Sequence, residues 1–260
     1  MNKEDIKVLI SILIVILIGA VLALAGSSGT VITIGILPLF ALCIILAFAI
    51  QWIVFIPAYI FKTEKFYDLT GSLTYISLTI FAVTLSYFQS GQTLNPRSIL
   101  LMVFILIWAT RLGFFLFKRV LKTGEDKRFA ELKQSFTEFL RAWTLQGLWI
   151  SFTLAAALAA ITILPPASYN IFDWLAVILG SIVWVIGFGF ESVSDHQKNQ
   201  FRANPENKGK FIKTGLWSIS RHPNYFGEIV IWIGIAIIAL PTLEGWRFIT
   251  LLSPVFLLHY

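Results

Sequence analysis

The sequence predicts an all-α, polytopic membrane helix bundle with about seven transmembrane helices and a short or truncated C-terminal one. Three observations carry that prediction. Of the 260 residues, 57% are hydrophobic and only 13% are charged, about half the ~25% charge of soluble domains. The mean hydropathy is +0.81. The apolar residues also fall in runs of ~20, the length that crosses a ~30 Å hydrocarbon core at ~1.5 Å per residue. This composition excludes a soluble globular domain and a disordered chain. The single cysteine, Cys43, excludes a disulfide scaffold and a cysteine-based metal centre. Three histidines are too few for a multi-histidine di-iron cluster.

The segments run, in order, near 6–25, 31–61, 68–88, 98–117, 141–163, 171–190 and 224–240, followed by 246–260. The first outlasts the ~7–15 apolar residues of a signal peptide and shows no small-residue cleavage site, so it reads as a retained helix. Pro38 and Pro57 predict a kink or an early end in the second. The last segment stops at His259-Tyr260 without a polar exit and reads as truncated or as crossing incompletely. The whole is one integral unit. Residues 1–61 form its N-terminal helices, and residues 62–260 carry the polar sequence.

Basic residues set the predicted topology. Seventeen of the 20 Lys and Arg residues fall on the N-terminal side of the alternating segments. Arg97 and Arg247 fall on the other side, and Arg111 is intramembrane. The positive-inside rule makes the N-terminus cytoplasmic. The net charge of +6 is this topology signal and does not indicate nucleic acid. Two cytoplasmic connections are long. In 118–140, Phe129, Leu132, Phe136 and Phe139 recur at three and four residues, which predicts an amphipathic helix on the membrane surface. The polar stretch 191–222 is punctuated by Asn204-Pro205 and Lys208-Gly209-Lys210.

Functional candidates are the polar groups that a bilayer should not contain. Arg111 lies ~10 Å inside the cytoplasmic boundary, where an arginine costs at least ~2.5 kcal/mol unless it faces a cavity or an anion. Glu228 lies about one turn into the seventh segment, on one face with Asn224. A carboxylate there is hydrogen-bonded, paired or protonated. His222-Pro223 opens that helix, with proline at its favoured first position. The free N–H groups that follow, beside Arg221 and His222, suit an anion such as a pyrophosphate. Glu191, Asp195, Lys198 and Arg202 form one polar stripe if the sixth helix extends past the membrane. Asp68 begins the third helix. Together with Lys210 these residues come from five regions, and topology brings them all to one membrane face. The economical reading is a polar cavity that takes a lipid-like substrate from the bilayer and a charged cofactor from the cytosol.

Metal binding is not expected. His196, His222, Asp195 and Glu228 are ligand types, but their spacing matches no zinc pattern. Gly187-x-Gly189 is half a dinucleotide fingerprint inside a membrane helix, without the βαβ context that the motif needs.

The run Gly215-Leu216-Trp217-Ser218-Ile219-Ser220-Arg221-His222-Pro223-Asn224-Tyr225-Phe226-Gly227-Glu228 resembles the C-terminal signature of the steroid 5-alpha-reductase-like superfamily, in its uncharacterised bacterial branch. The likeness extends to Glu191-x-x-x-Asp195, Phe201-Arg202, Asn204-Pro205, Lys208-Gly209-Lys210, Arg111-Leu112-Gly113 and Gly124-Glu125-Asp126-x-Arg128-Phe129. It covers roughly residues 60 to 258. Its Arg-His-Pro-x-Tyr core is shared with isoprenylcysteine carboxyl methyltransferases.

The resemblance implies a reductase of the bacterial inner membrane that uses NADPH from the cytoplasmic side. The cofactor would be held by Arg111, Glu191, Asp195, Arg202, Lys210, Arg221, His222, Asn224 and Glu228. An Arg/Lys cluster is what a 2′-phosphate and a pyrophosphate require. The implied reaction reduces a C=C bond of an enone in a lipid-like or steroid-like substrate. The tyrosine that donates the proton in the steroid enzymes is replaced by Trp108, which leaves Asp68 or Tyr225, with Glu228, as catalytic candidates. The shared core keeps an S-adenosylmethionine-dependent methyltransferase of a prenyl or lipid acceptor open. Trp108 keeps a non-catalytic lipid-binding or transport protein open.

Overall fold

The computed structural model describes residues 3–93, 95–123 and 129–256. Residues 124–128 of the Gly124 motif, and His259 and Tyr260 of the last segment, lie outside the described residues. The helices are α1 (Lys3–Gly26), α2 (Leu39–Ile60), α3 (Tyr67–Gln89), α4 (Pro96–Thr123), α5 (Phe136–Ile161), α6 (Ile171–Ala203), α7 (Pro223–Ala239) and the short α8 (Leu252–Phe256). Seven of them are long and apolar enough to cross a membrane, so the chain is an all-α polytopic membrane bundle. It divides into two compact units, Met1–Ala167 with Thr242–Leu251, and Ser168–Pro241 with Leu252–Tyr260.

In the first unit α5 is the central helix. Its C-terminal half, Thr153–Ile161, is buried all round and contains five alanines. Small side chains let neighbours approach closely, which is how helices associate where lipid removes the hydrophobic drive. The same rule seats Phe48 of α2. A Cβ added to Gly19 of α1 or to Gly147 of α5 would lie 2.7 Å or 2.9 Å from its ring. Polar side chains then cross-link the helices. Gln51 Nε2 donates to Thr74 Oγ1 at 2.8 Å, Trp52 Nε1 donates to Thr144 Oγ1 at 3.1 Å, and Tyr75 shares a hydrogen bond with Thr153. Such bonds contribute about 0.6–2 kcal/mol each in membranes.

The two ends of this unit differ in chemistry. At the end that holds the start of α1, Thr137 Oγ1 donates to Asp5 at 3.1 Å. Lys133 pairs with Glu64 at 2.9 Å, and Arg119 pairs with Asp68 at 3.7 Å. At the far end neutral groups also cross-link the chain. Thr30 Oγ1 donates to the Thr162 carbonyl at 2.7 Å, and Gln89 bonds both backbone groups of Thr33. The Glu64 side chain is only 2% exposed. Lys133→Met should therefore lower stability by about 1.5–3 kcal/mol, the usual worth of a hydrogen bond to a charged group. Chemical unfolding in detergent measures it.

Two sequence expectations are corrected. The 31–61 segment is not one kinked helix. Thr33–Ile34 and Leu37–Pro38 pair as a small antiparallel hairpin, and α2 begins at Leu39. Proline holds the residue before it extended, so Pro38 places Leu37 in the hairpin, and Gly35 supplies the positive φ of its turn. Pro57 sits in the last turn, where the helix is already ending. The 118–140 stretch is not a surface amphipathic helix. α4 continues to Thr123 and α5 starts at Phe136. Phe129 and Phe139 are buried with Phe55, Ala58 and Trp143 in an aromatic cluster, because rings at this spacing find more apolar surface inside the protein than at an interface. The C-terminal segment is short among the described residues, as the sequence predicts. A 3₁₀ turn, Gly245–Leu251, precedes the five residues of α8.

Candidate functional site

In the second unit α6 and α7 pack as a close pair, and glycine is the reason. A Cβ on Gly187 would lie 2.6 Å from Ile231 N and 2.7 Å from the Gly227 carbonyl oxygen. A Cβ on Gly180 would lie 2.6 Å from the Gly234 carbonyl oxygen, and one on Gly234 would lie 2.7 Å from Trp184 N. Gly180 and Gly187 on α6 therefore mesh with Gly227 and Gly234 on α7, each pair seven residues apart. Backbone meets backbone along this seam.

The seam leads directly to the carboxylates. The buried stripe of α6 runs Gly180, Trp184, Gly187, Glu191, Ser194 and Asp195. A Cβ on Gly227 would lie 2.5 Å from Glu191 N. Glu191 is thus held against the first turns of α7 at Gly227. Glu191 and Asp195 are 3% and 5% exposed. The predicted stripe of Glu191, Asp195, Lys198 and Arg202 does lie on one helix, since α6 extends to Ala203. Its first two members belong to the interior, and Arg202 is exposed.

The polar connection folds back on α6. Gly215 adopts a φ of +61°, which lets the chain turn directly over Gln197. Leu216 N–H donates to Gln197 Oε1 at 3.0 Å, and Trp217 Nε1 donates to the Ser194 carbonyl at 3.0 Å. The Lys198 ammonium sits 4.6 Å from the centre of the Trp217 ring, a cation–π contact. Nearer the end of α6, Asn204 Oδ1 accepts from Glu206 N–H, and Asn207 Nδ2 donates to the Phe201 carbonyl at 2.9 Å. Gln197 and Trp217 are positioning residues that sequence reading did not single out for this role. The tryptophan of the Gly215-Leu216-Trp217-Ser218 run was the available signal.

α7 begins at Pro223 with no side-chain cap. The N–H groups of a helix start are free by construction and carry the positive end of the helix dipole. Arg221 and His222, which directly precede it, are exposed, as are Arg202 near the end of α6 and Lys210 in the connection. The His222 and Tyr225 rings are stacked, with centroids 5.4 Å apart. Asn224 and Glu228 are half-buried, and Asn224 Oδ1 is shielded with no hydrogen-bond partner among the described residues. The arrangement suits an extended, polyanionic ligand. Basic side chains and helix N–H groups lie outside, and carboxylates and an amide lie deeper.

The remaining predicted residues lie in the first unit. Asp68 is in the first turn of α3 and pairs with Arg119. Arg111 is half-buried on α4, and Trp108 one turn before it is 2% exposed, edge-on to Tyr75 with ring centroids 5.0 Å apart. Gly187 serves helix packing, and Gly189 has open space at its Cβ position, so this pair forms no nucleotide-binding turn. Among the described residues no group of three or more His, Cys, Asp or Glu is placed to hold a metal ion.

Comparison with known proteins gives three findings. A stretch of 79 residues is 37% identical to 3-oxo-5-alpha-steroid 4-dehydrogenase 1 of Bos taurus, covering 29% of this chain and 30% of that protein. A stretch of 46 residues is 44% identical to the "Probable O-methyltransferase ustE" of Ustilaginoidea virens, covering 18% of this chain and 16% of that protein. The chain therefore matches less than a third of either relative's length. No solved structure matches. The family described as "Protein of unknown function (DUF1295)" matches residues 54–260. By that match the chain belongs to the DUF1295 family, within the steroid 5-alpha-reductase-like superfamily.

Proposed function

We propose that this protein is a membrane-embedded, NADPH-dependent reductase of a C=C bond conjugated to a carbonyl, in a lipid-like or steroid-like substrate. The observation that carries the reading is the α6–α7 pair. Its glycine seam presses Glu191 against the first turns of α7, whose uncapped start directly follows exposed Arg221 and His222, with Arg202 and Lys210 exposed in the same unit. The partial match to a steroid 4-dehydrogenase supports the reaction class.

Bound there, NADPH would supply the hydride for the carbon that is β to the carbonyl. Arg202, Lys210 and Arg221 neutralise phosphate charge, and the α7 N–H groups add neutral donors. Asn224 Oδ1 accepts an N–H from the cofactor. Glu191, Asp195 and Glu228 hold the polar interior and orient hydroxyl and amide groups. His222 completes the cofactor contacts of this pair. We assign the proton to Tyr225, because Asp68 is engaged by Arg119 and the indole of Trp108 is not a practical acid. The proton neutralises the enolate oxygen that hydride addition creates, and the enol then becomes the saturated ketone.

A second reading is methyl transfer to a prenyl or lipid acceptor, supported by the O-methyltransferase match. Side-by-side titration of the purified protein with NADPH, NADH and S-adenosylmethionine decides between the two. Selective NADPH binding is expected. Selective S-adenosylmethionine binding would move the same residues to methyl transfer. Binding of none would leave a lipid-binding protein.

Two further results are expected. Glu228→Gln should weaken NADPH at least ~10-fold, which is 1.4 kcal/mol, with an unchanged unfolding midpoint. Undiminished affinity and turnover would make Glu228 structural. We also place the protein in the bacterial inner membrane with its N-terminus and cofactor site cytoplasmic, supported by the distribution of basic residues. A reporter fused at residue 205 should read cytoplasmic. An external signal would reverse the topology.

A further inference from the structure

The far end of the first unit holds a cleft that the proposed chemistry does not use. It lies between the end of α3, the start of α4 and the end of α5, and encloses about 270 Å³ of empty space including its open mouth. Its polar lining is hydroxyl and amide, from Ser86, Tyr87, Ser90, Thr93, Asn95 and Ser98, with no charged side chain among the described residues that line it.

Two of these hydroxyls are out of place. Ser86 on α3 and Ser98 on α4 are 7% and 3% exposed. Both Oγ atoms are shielded from solvent and have no hydrogen-bond partner among the described residues. Several other helical hydroxyls in this unit bond back to the carbonyl four residues earlier. Thr74, Thr79, Ser151 and Thr162 do so at 2.7–2.8 Å. Ser86 does not make that bond. Ser90, by contrast, is spent on the Tyr87 and Thr93 carbonyls.

A buried hydroxyl without a partner is costly, and these two, from two helices, line the same space. The enclosed part of the cleft has room for about one water-sized group. An ion there would find only neutral groups in the described lining.

We propose that the cleft is a binding site for one neutral hydroxyl group that bridges Ser86 and Ser98. The group is supplied either by an ordered water or by the alcohol end of a neutral lipid entering from the mouth. The bridge staples α3 to α4 beside their short connection. The site stands independently of the reductase reading.

A double-mutant cycle tests it, using the full chain in detergent with and without 1-monooleoylglycerol. Ser86→Ala and Ser98→Ala should each lower the unfolding midpoint by about 2–4 °C, since each strands the other hydroxyl. The double variant should lose less than the sum of the two, because both stranded groups are gone. Non-additivity without lipid identifies water as the guest. Non-additivity only with 1-monooleoylglycerol, together with a midpoint that the lipid raises in wild type but not in the double variant, identifies the lipid alcohol. Strict additivity in both conditions overturns the proposal.

Discussion

Gly227→Leu is expected to disrupt the second unit while the first stays folded. The first atom of any side chain at 227 meets Glu191 N at 2.5 Å and Glu191 Cα at 2.9 Å. Both are backbone atoms, so no rotamer relieves the clash and the helices must separate. Overpacking usually costs about 1–3 kcal/mol, and more where the neighbour is rigid. Separation also withdraws Glu191 from α7, so NADPH binding should be lost together with packing. Gly189→Leu is the matched control, because its Cβ position is open. In hydrogen exchange, Gly227→Leu should deprotect residues 184–195 and 223–234, and Gly189→Leu should not. Equal protection in both variants would show that the seam does not hold the pair together.

Arg202→Ala is expected to separate the two nicotinamide cofactors. The guanidinium is exposed near the end of α6, in the cluster assigned to the 2′-phosphate. A hydrogen bond to a charged group is worth about 1.5–3 kcal/mol, so NADPH affinity should fall roughly 10- to 100-fold. NADH lacks that phosphate and should move by less than about 3-fold, within the few tenths of a kcal/mol typical of surface changes. Paired titrations of wild type and variant measure both. Equal losses would remove the 2′-phosphate assignment. An unchanged NADPH affinity would move it to Lys210, where the same comparison applies.

Particular residues show how much was legible in advance. The extension of α6 to Ala203 was readable from the four-, three- and four-residue spacing of Glu191, Asp195, Lys198 and Arg202, because helical periodicity is a local property. The start of α7 was readable from His222-Pro223 for the same reason. The burial of Glu191 was not readable, since a charged stripe at helical spacing is ordinarily solvated. Its burial depends on Gly227, 36 residues away in the sequence. Gly180, Gly187, Gly227 and Gly234 were visible as letters, but nothing in their spacing says that they face one another. Asp68 had the same ambiguity, and its pairing with Arg119 joins the start of α3 to the end of α4.

The sequence by itself determined the membrane class, the seven spans and the clustering of basic residues in the longer connections. Each of these follows from counting apolar and charged groups over a window, and the bilayer imposes them on any chain with that composition. The tertiary structure alone decided the rest. It made α5 the central helix, drew Phe129 and Phe139 into the core, meshed α6 with α7, and left Ser86 and Ser98 around one cleft. These outcomes depend on which small residues let two backbones approach and on which polar atoms then find partners. Both are pairwise properties of residues distant in the chain, and a local window does not contain them.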